Sequence, residues 1–567
     1  MILRRLYLYL VSAAALGTLA VGLSALGFNV LLFVFNDPNA DAGRGALAGA
    51  TAATVVGLLV WGVHFWFARR YAHRDPAERA SAIRRLYVYW ACLVMSIGAA
   101  IALETAISNY LHPIFDCPAV TNPNANVFSP FVCGANASLL PTAQAAWIAL
   151  VLGAFWALHY RIAVRDRAAV GEQGRSASLR RWYMYPALLV GLLMTLSGAT
   201  SLLILLWLRL MNSSLGTDQG RYIGDAVGLL AGGLVLWGFH ARVLPQKHLE
   251  DDRKSTLRAL EGFIAVAVCM VFALTGAAQI LYYALARLLG VSNPGNVGND
   301  VVAAMAAPVS VLVVYGAAWF LVRRRLARDT GSHEVDRQAG VRRLYTNLAA
   351  LVSMAALGIG AAGVLWNLAE QIEAPLIGVT ATDWRDPISF WATLFVVGGV
   401  VWLAHWRHAP WPGDRQSLSR RLYVWAALLV SVLAVLGSGI GILNVVLQQV
   451  FSATPRLNMT SNLDFGHYLA VLVVAALIGV YHWRVLRADA AARPAKHEVE
   501  PARVVVETQA VDSTIATTPA TSTSASSVPH GKRYVLSVMD ASEDDVHQAL
   551  SNLPPAASYR LIPESES

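Results

Sequence analysis

Charged side chains are scarce in this chain. Asp, Glu, Lys and Arg make up 14% of its 567 residues, whereas apolar residues make up 56% and the mean hydropathy is +0.50. So few polar residues cannot cover the surface of a water-soluble protein of this length. The composition therefore excludes a soluble globular protein and indicates that the chain is embedded in a lipid bilayer.

Sequence motifs of the common enzyme classes are also missing. The chain has no Walker phosphate loop, no dinucleotide-binding glycine fingerprint at a strand-to-helix turn, no Gly-x-Ser-x-Gly elbow and no His-Glu-x-x-His zinc motif. His405 and His408 lie three residues apart, but no carboxylate accompanies them. We therefore expect a protein that is not an enzyme and that holds no metal ion or cofactor.

Cysteine is rare, with four residues in the chain. Cys92 and Cys269 lie inside apolar helices, where we expect inert core thiols. Cys117 and Cys133 lie in a long loop that the charge pattern described below places outside the membrane, in an oxidising compartment. Cross-linking a loop of this size stabilises a protein by about 3 kcal/mol. We therefore predict a Cys117–Cys133 disulfide.

Repetition is the most prominent feature of the sequence. Five long apolar helices open with a basic pair followed two residues later by tyrosine, and a sixth opening is degenerate. The openings are Arg4-Arg5-Leu6-Tyr7, Arg84-Arg85-Leu86-Tyr87, Arg180-Arg181-Trp182-Tyr183, the degenerate Leu257-Arg258-Ala259-Leu260-Glu261, Arg342-Arg343-Leu344-Tyr345 and Arg420-Arg421-Leu422-Tyr423. A second apolar helix follows each opening helix, so the pattern indicates tandem copies of a two-helix hairpin.

Twelve apolar stretches are long enough to cross a bilayer, which takes about 20 residues per helix. They lie near residues 6–35, 46–68, 86–110, 143–164, 182–210, 222–244, 260–288, 301–322, 344–369, 388–406, 422–451 and 466–486. We predict an all-α polytopic membrane protein with twelve transmembrane helices in six tandem hairpins. The predicted hairpin repeats are residues 1–80, 81–176, 177–254, 255–338 (the degenerate fourth copy), 339–416 and 417–489.

The C-terminal region has a different composition. Residues 490–531 are rich in Ala, Thr, Ser and Pro, which predicts a disordered linker. Within residues 532–567, alternation at 533–539, a capped helix at 540–553 and a short strand at 559–562 predict a small β-α-β-like cytoplasmic module. This module either recruits another membrane or cytoplasmic protein or is a passive appendage.

Lys and Arg are unevenly distributed between the two sides of the predicted membrane. The segments between hairpins and the stretch after His482 carry most of them, whereas the loops within hairpins carry few. Because basic segments stay in the cytoplasm, both termini are predicted to be cytoplasmic, in the bacterial cytoplasmic (inner) membrane. We attribute the net charge of +9 to this asymmetry against the lipid bilayer and expect no nucleic-acid partner.

Small residues recur at one register of the opening helices. Fifteen residues after the opening position stand Gly22, Ala102, Gly198, Gly276, Gly360 and Ser438. Lipid provides no hydrophobic drive between membrane helices, so close approach at small residues is a common way to associate them. We therefore predict a packing seam along these helices.

The returning helices carry an aromatic residue followed three residues later by histidine. The motif is Trp61 and His64, Trp156 and His159, Trp237 and His240, and Trp402 and His405, while the sixth copy keeps His482 behind Gly479. The fourth copy has Tyr315 and Ala318 instead, and it is also the copy whose opening tyrosine is replaced by Glu261. Joint loss of tyrosine and histidine suggests that the two residues are used together.

We therefore hypothesise a Tyr–His contact in every intact repeat, which would satisfy two polar groups at a depth where leaving them unpaired is costly. The residues concerned are Tyr7, His64, Tyr87, His159, Tyr183, His240, Tyr345, His405, Tyr423 and His482. His64 could meet either Tyr7 or Tyr87. The alternative use of these histidines is to bind haem or a metal ion.

Transport is the second functional class to consider. Carriers keep ionisable residues within the membrane, and the candidates here are Glu104, Asp225 and Arg209, together with the mid-helix Pro308. Three hairpins in each half match the helix count of a carrier built from three two-helix repeats, but the repeated proline-plus-charge motif of such carriers is missing.

The basic-pair opening, the small-residue seam and the Trp-x-x-His ending resemble an uncharacterised bacterial family of tandem two-helix membrane domains, recorded as a domain of unknown function. The resemblance covers residues 1 to about 486. It implies the architecture but no substrate, cofactor or reaction. We expect a structural or partner-organising membrane scaffold, with a small-solute transporter or channel, or a haem- or metal-binding protein, as alternatives.

Overall fold

The computed structural model describes most of the first 491 residues. The described residues are 2–38, 40, 44–116, 139–172, 174–211, 222–243, 252, 255–296, 300–330, 336–376, 378, 380–406, 417–451 and 459–491. Cys117, Cys133 and the residues from 492 onward lie outside this set. The proposed disulfide, the linker and the β-α-β-like module therefore lie outside the described residues.

The described residues form thirteen α-helices and one short 3-10 helix at Pro294–Asn296, with no β-strand among them. The α-helices are α1 (Ile2–Val34), α2 (Arg44–Arg74), α3 (Pro76–Arg79), α4 (Ala82–Asp116), α5 (Leu139–Val170), α6 (Arg175–Leu210), α7 (Ile223–Val243), α8 (Thr256–Leu288), α9 (Val301–Thr330), α10 (Asp336–Leu376), α11 (Arg385–Trp406), α12 (Leu418–Phe451) and α13 (Met459–Ala491). All except α3 are long and apolar enough to cross a membrane. The prediction of a helical, multi-pass membrane protein with twelve spans is confirmed.

The long helices pack in consecutive pairs, and the small-residue seam lies between the two helices of a pair. A Cβ on Gly22 would stand 2.7 Å from the backbone nitrogen of Thr54, and a Cβ on Gly276 would stand 2.6 Å from the carbonyl oxygen of Pro308. Gly198 and Gly360 lie equally close to the backbone of their returning helices. The predicted seam is confirmed at these glycines because only a missing side chain permits this approach.

Consecutive hairpins pack side by side in a row. Each opening helix contacts the returning helix of the next hairpin: α1 contacts α5, α4 contacts α7, α6 contacts α9, α8 contacts α11 and α10 contacts α13. All the substantial contacts between described helices join members of one hairpin or of neighbouring hairpins. Such nearest-neighbour packing is typical of repeat proteins.

The tightest boundary joins the second and third hairpins, and sequence reasoning missed its cause. Gly224, Gly228 and Gly232 follow one another at intervals of four residues on α7 and face the backbone of α4. A Cβ on Gly228 would stand 2.5 Å from the carbonyl oxygen of Glu104. This glycine row brings two opposed helices into backbone contact, as in other small-residue membrane interfaces.

The buried core lies towards the basic ends of the opening helices. Tyr87, Cys92 and Tyr183 belong to its main cluster, with α1, α4 and α6 around them. Cys92 and Cys269 are both free and fully buried, which confirms their assignment as core thiols. Outside this core the helices expose large apolar side chains, as lipid-facing surfaces do.

Candidate functional site

Each intact hairpin brings its opening tyrosine to its own returning histidine. The distances from tyrosine Oη to histidine Nε2 are 3.4 Å for Tyr7–His64, 3.0 Å for Tyr87–His159, 2.8 Å for Tyr183–His240, 3.5 Å for Tyr345–His405 and 2.9 Å for Tyr423–His482. His64 therefore contacts Tyr7, the first of its two possible partners. The ten residues form five pairs within hairpins.

The hydrogen bonds of these histidines have a defined direction. In every pair, Nδ1 lies 2.7 to 2.9 Å from the carbonyl oxygen four residues earlier, as at Leu236 for His240 and Val401 for His405. Because a carbonyl oxygen only accepts, Nδ1 carries the hydrogen, and Nε2 of the neutral ring is an acceptor that faces the tyrosine hydroxyl. At Tyr345 the hydroxyl also donates to the sulfur of Met270 over 3.4 Å. Both ring nitrogens thus face hydrogen-bond partners within the hairpin.

Tryptophan extends three of these pairs across a hairpin boundary. The indole Nε1–H of Trp61 donates to Tyr87 Oη over 3.0 Å, and the equivalent distance from Trp156 to Tyr183 is 3.1 Å. The corresponding distance from Trp402 to Tyr423 is 2.9 Å. Each bond joins the returning helix of one hairpin to the opening tyrosine of the next. The result is a Trp–Tyr–His chain that links neighbouring hairpins.

The Tyr–His distance is shorter in the pairs whose tyrosine also accepts a hydrogen bond from tryptophan. The three tyrosines that receive it are at most 6% exposed, and their distances to histidine are 2.8 to 3.0 Å. Tyr7 receives no tryptophan bond from the described residues and is 61% exposed, and its distance to His64 is 3.4 Å. Tyr345 follows the copy that lacks the tryptophan, and its distance is 3.5 Å. Donation to the hydroxyl polarises it and strengthens the bond that it donates.

The degenerate fourth hairpin replaces the Tyr–His pair with an ion pair. Glu261, at the tyrosine position, is buried and contacts the guanidinium of Arg325. Arg325 lies seven residues after Ala318 and therefore on the same face of α9 as the missing histidine. The joint loss of tyrosine and histidine is thus a joint replacement by two opposite charges. Because Glu261 replaces the tyrosine, Trp237 of the third hairpin also lacks the tyrosine hydroxyl that would accept its indole hydrogen bond.

Acidic residues pair with the basic openings, and sequence reasoning missed them. The closest Arg–carboxylate distances are 2.8 Å for Arg5–Glu78, 2.7 Å for Arg84–Asp166, 3.0 Å for Arg180–Asp252, 2.7 Å for Arg258–Asp329 and 2.8 Å for Arg420–Asp489. Each acid follows its arginine by 69 to 82 residues, at the end of the same hairpin. An acid recurring near the end of the returning helix in five of the six hairpins was the signal available in the sequence.

Comparison with protein-family models identifies the repeat. The model described as "Domain of unknown function (DUF5671)" matches residues 5–136, 181–309 and 343–467, which is more than half of the chain. The chain belongs to this family. No curated protein and no solved structure matches the chain.

The three matches begin at Arg5, Arg181 and Arg343, the second arginines of the first, third and fifth openings. Each match covers one hairpin and the opening helix of the next, and successive matches begin two hairpins apart. We use the word unit for each two-hairpin repeat that begins at a match. The Trp–Tyr bond occurs within the first unit at Trp61, between the first and second units at Trp156, and within the third unit at Trp402. The second unit lacks it because its second hairpin is the degenerate copy.

A further tyrosine, two residues after the opening tyrosine of the first two hairpins, also connects hairpins. Tyr9 donates to Glu78 over 3.3 Å and accepts a hydrogen bond from Arg84 of the next hairpin over 3.2 Å. Tyr89 donates to Glu172, which lies 2.8 Å from Arg180 at the start of the third hairpin. These bonds tie the first DUF5671 unit together and join it to the second.

The structure brings together two of the three transport candidates. Asp225, on α7, accepts a hydrogen bond from Ser108, one turn along α4 from Glu104. The Glu104 carboxylate accepts a bond of 3.1 Å from its neighbour Thr105, and its backbone faces Gly228. Arg209 lies apart, exposed near the end of α6. Among the described residues, no three His, Cys, Asp or Glu side chains are grouped to hold a metal ion.

Proposed function

We propose that this DUF5671 protein is a non-catalytic scaffold of the bacterial cytoplasmic membrane, with both termini in the cytoplasm. The observation that carries the proposal is the Trp–Tyr–His chain, which uses the repeated polar side chains to join hairpin to hairpin. A protein built to hold partners in fixed relative positions needs such connections between its units.

The way that polar groups are used supports this role. Arg84, Asp166 and His159 are all buried, and each has a partner within the protein. Transport or catalysis depends on ionisable groups that remain available to a substrate. In these hairpins most of the recurring Tyr, His, Trp and Arg side chains instead have partners within the protein, the arginines with carboxylates, as structural buried polar groups do.

The partners of the scaffold are proposed from the sequence. The bilayer covers the exposed apolar faces of the helices, and a further membrane or cytoplasmic protein is recruited by the module at residues 532–567. A nucleic-acid partner is not proposed because opening arginines such as Arg84 and Arg180 are paired with Asp166 and Asp252.

Quantitative affinity enrichment from membranes tests the scaffold. We compare the full chain with a chain that ends at residue 489 and with the variant Glu104→Gln. The expected result is a defined set of partners that co-purify with the full chain, are lost with the truncated chain and are retained by Glu104→Gln. Equal recovery by the full and truncated chains would remove the proposed role of the C-terminal module.

A transporter is the second candidate, since Glu104 and Asp225 lie at one helix interface in a membrane segment. A solute library screened by thermal shift on the reconstituted full chain separates the two functions. A solute that stabilises the full chain, but not Glu104→Gln, establishes transport or solute binding and contradicts the scaffold. Haem is tested by the visible spectrum of the purified protein: a Soret band reducible by dithionite would contradict the assigned histidine bonds.

A further inference from the structure

A groove with a volume of about 900 Å³ opens between the beginnings of α4 and α6. It lies at the basic end of the row, where the second and third hairpins meet. Its apolar walls include Ile83 and Leu86 from α4 and Leu179 and Trp182 from α6. The volume lies within the usual size range of small-molecule sites.

The polar end of the groove has an excess of positive charge. Glu172 lies 2.8 Å from Arg180 and 3.9 Å from Arg85, and Asp252 lies 3.0 Å from Arg180 and 2.9 Å from Arg181. Arg167 also lies 4.0 Å from Glu172, so four guanidinium groups share two carboxylates, and Glu172 and Arg181 line the groove itself. Such a cluster attracts an anion.

Arg175 adds a further cation at the edge of the groove. Its side chain is exposed, and it has no ion-pair partner among the residues that the structure describes. Ser178, one turn later on α6, also lines the groove, and its hydroxyl donates to the carbonyl oxygen of Gly174 over 3.3 Å. Arg175 is therefore the side chain that is available to a bound anionic group.

The apolar side of the groove is continuous with the lipid-facing surface. Leu86 is 53% exposed and Trp182 is 57% exposed. A ligand that fits must combine a negative headgroup at Arg175 with a hydrocarbon chain along these two side chains. A free anion would leave the apolar wall uncovered. An acidic peptide would place its polar backbone against that wall, which is unfavourable.

We propose that this groove binds an anionic phospholipid, with its phosphate at Arg175 and an acyl chain between Leu86 and Trp182. Basic pockets between transmembrane helices take up such headgroups. The bound lipid contacts both the first and the second DUF5671 units and so bridges their boundary. The site is independent of the scaffold role, since it requires only the described groove and a membrane.

Native mass spectrometry of the detergent-solubilised full chain tests the site, with phosphatidylglycerol and phosphatidylcholine titrated separately. The expected result is a first phosphatidylglycerol that binds more tightly than phosphatidylcholine. Removing one interfacial cation in Arg175→Gln should weaken that first event by about fivefold. Ser178→Trp, which fills the groove without changing its charge, should also weaken it.

Arg69→Gln is the matched control because Arg69 is an exposed arginine near the basic end of α2, away from the groove. It should bind the first phosphatidylglycerol like the unmodified chain. Equal binding of the two lipids, or equal effects of Arg175→Gln and Arg69→Gln, would overturn the proposal. Thermal unfolding of each variant shows whether a loss of binding reflects a loss of fold.

Discussion

At the scale of single residues, a donor in one hairpin determines the geometry of a pair in the next. Tyr183 accepts a hydrogen bond from Trp156 and lies 2.8 Å from His240, whereas Tyr345 has no such donor and lies 3.5 Å from His405. Histidine and tyrosine are the same in both pairs. The difference lies in the neighbouring hairpin, so the repeats are coupled through their polar side chains.

Trp156→Phe tests this coupling. The substitution removes the indole N–H and should destabilise the protein by about 1 kcal/mol, the net contribution of a typical buried hydrogen bond. Trp237→Phe is the control, because its tyrosine acceptor is replaced by Glu261, and it should cost less. Equilibrium unfolding in mixed micelles measures both. Equal destabilisation by the two variants would contradict the coupling.

The fourth copy offers a reciprocal test at the residue scale. Glu261→Tyr alone leaves Arg325 without its closest carboxylate, and Ala318→His alone leaves a buried imidazole without tyrosine. The double variant restores the pair, so we expect a favourable coupling of about 0.5–3 kcal/mol in a double-mutant cycle. In that background, Trp237→Phe should become more costly. Additive single effects would show that the pair does not form there.

At the scale of secondary-structure elements, helices pack backbone to backbone at glycines, which have no side chain to keep them apart. Gly224, Gly228 and Gly232 lie against α4, while Gly238 on the same helix has open space around it. On α10, Gly360 and Gly363 likewise lie against Phe395 and Trp391 of α11. These glycines are packing positions within helices.

Gly228→Ala and Gly238→Ala separate the two environments. The first places a methyl group 2.5 Å from the carbonyl oxygen of Glu104 and should force α4 and α7 apart. Overpacking of this kind costs about 1–3 kcal/mol. The second should be neutral or slightly stabilising because alanine favours helix and nothing obstructs it. Thermal unfolding of both variants in the same nanodiscs measures the difference, and a neutral Gly228→Ala would refute the close approach.

At the scale of the whole helical region, stability should vary along the row. Each hairpin depends on its neighbours, and the second DUF5671 unit lacks the Trp–Tyr bond on both sides of its degenerate hairpin. The sixth hairpin carries Gly479 at the tryptophan position and therefore has no indole N–H to donate there. In such rows, units with fewer neighbour contacts open first.

Two buried cysteines report this opening directly. Cys92 lies in the second hairpin and Cys269 in the fourth, and both are 0% exposed. Under mild denaturant we expect a thiol reagent to label Cys269 faster than Cys92, with the sites assigned by peptide mass spectrometry. Trp156→Phe should accelerate labelling of Cys92. Equal labelling rates in the unmodified chain would indicate uniform stability along the row.

Much of the architecture was predictable because hydropathy and repeat spacing act along each helix separately. The twelve spans follow from apolar length, and the residues that form the Tyr–His pairs follow from their joint loss at Glu261 and Ala318. The acids were harder to identify. Asp166 and Asp252 lie far along the chain from their arginines, and charge distribution alone suggested that those arginines faced lipid headgroups.

The sequence by itself determined the number of spans, the basic side of the row and the residue types that recur at each hairpin. Only the tertiary structure decided that Trp61 bonds to Tyr87 while His64 bonds to Tyr7, and that Arg325 replaces the lost histidine. The physical reason is that span length is a local property of one helix. Partner choice depends on the depth and rotation of two helices relative to each other. Close contacts, such as that of Gly228 on α7 with the backbone of α4, set this depth and rotation.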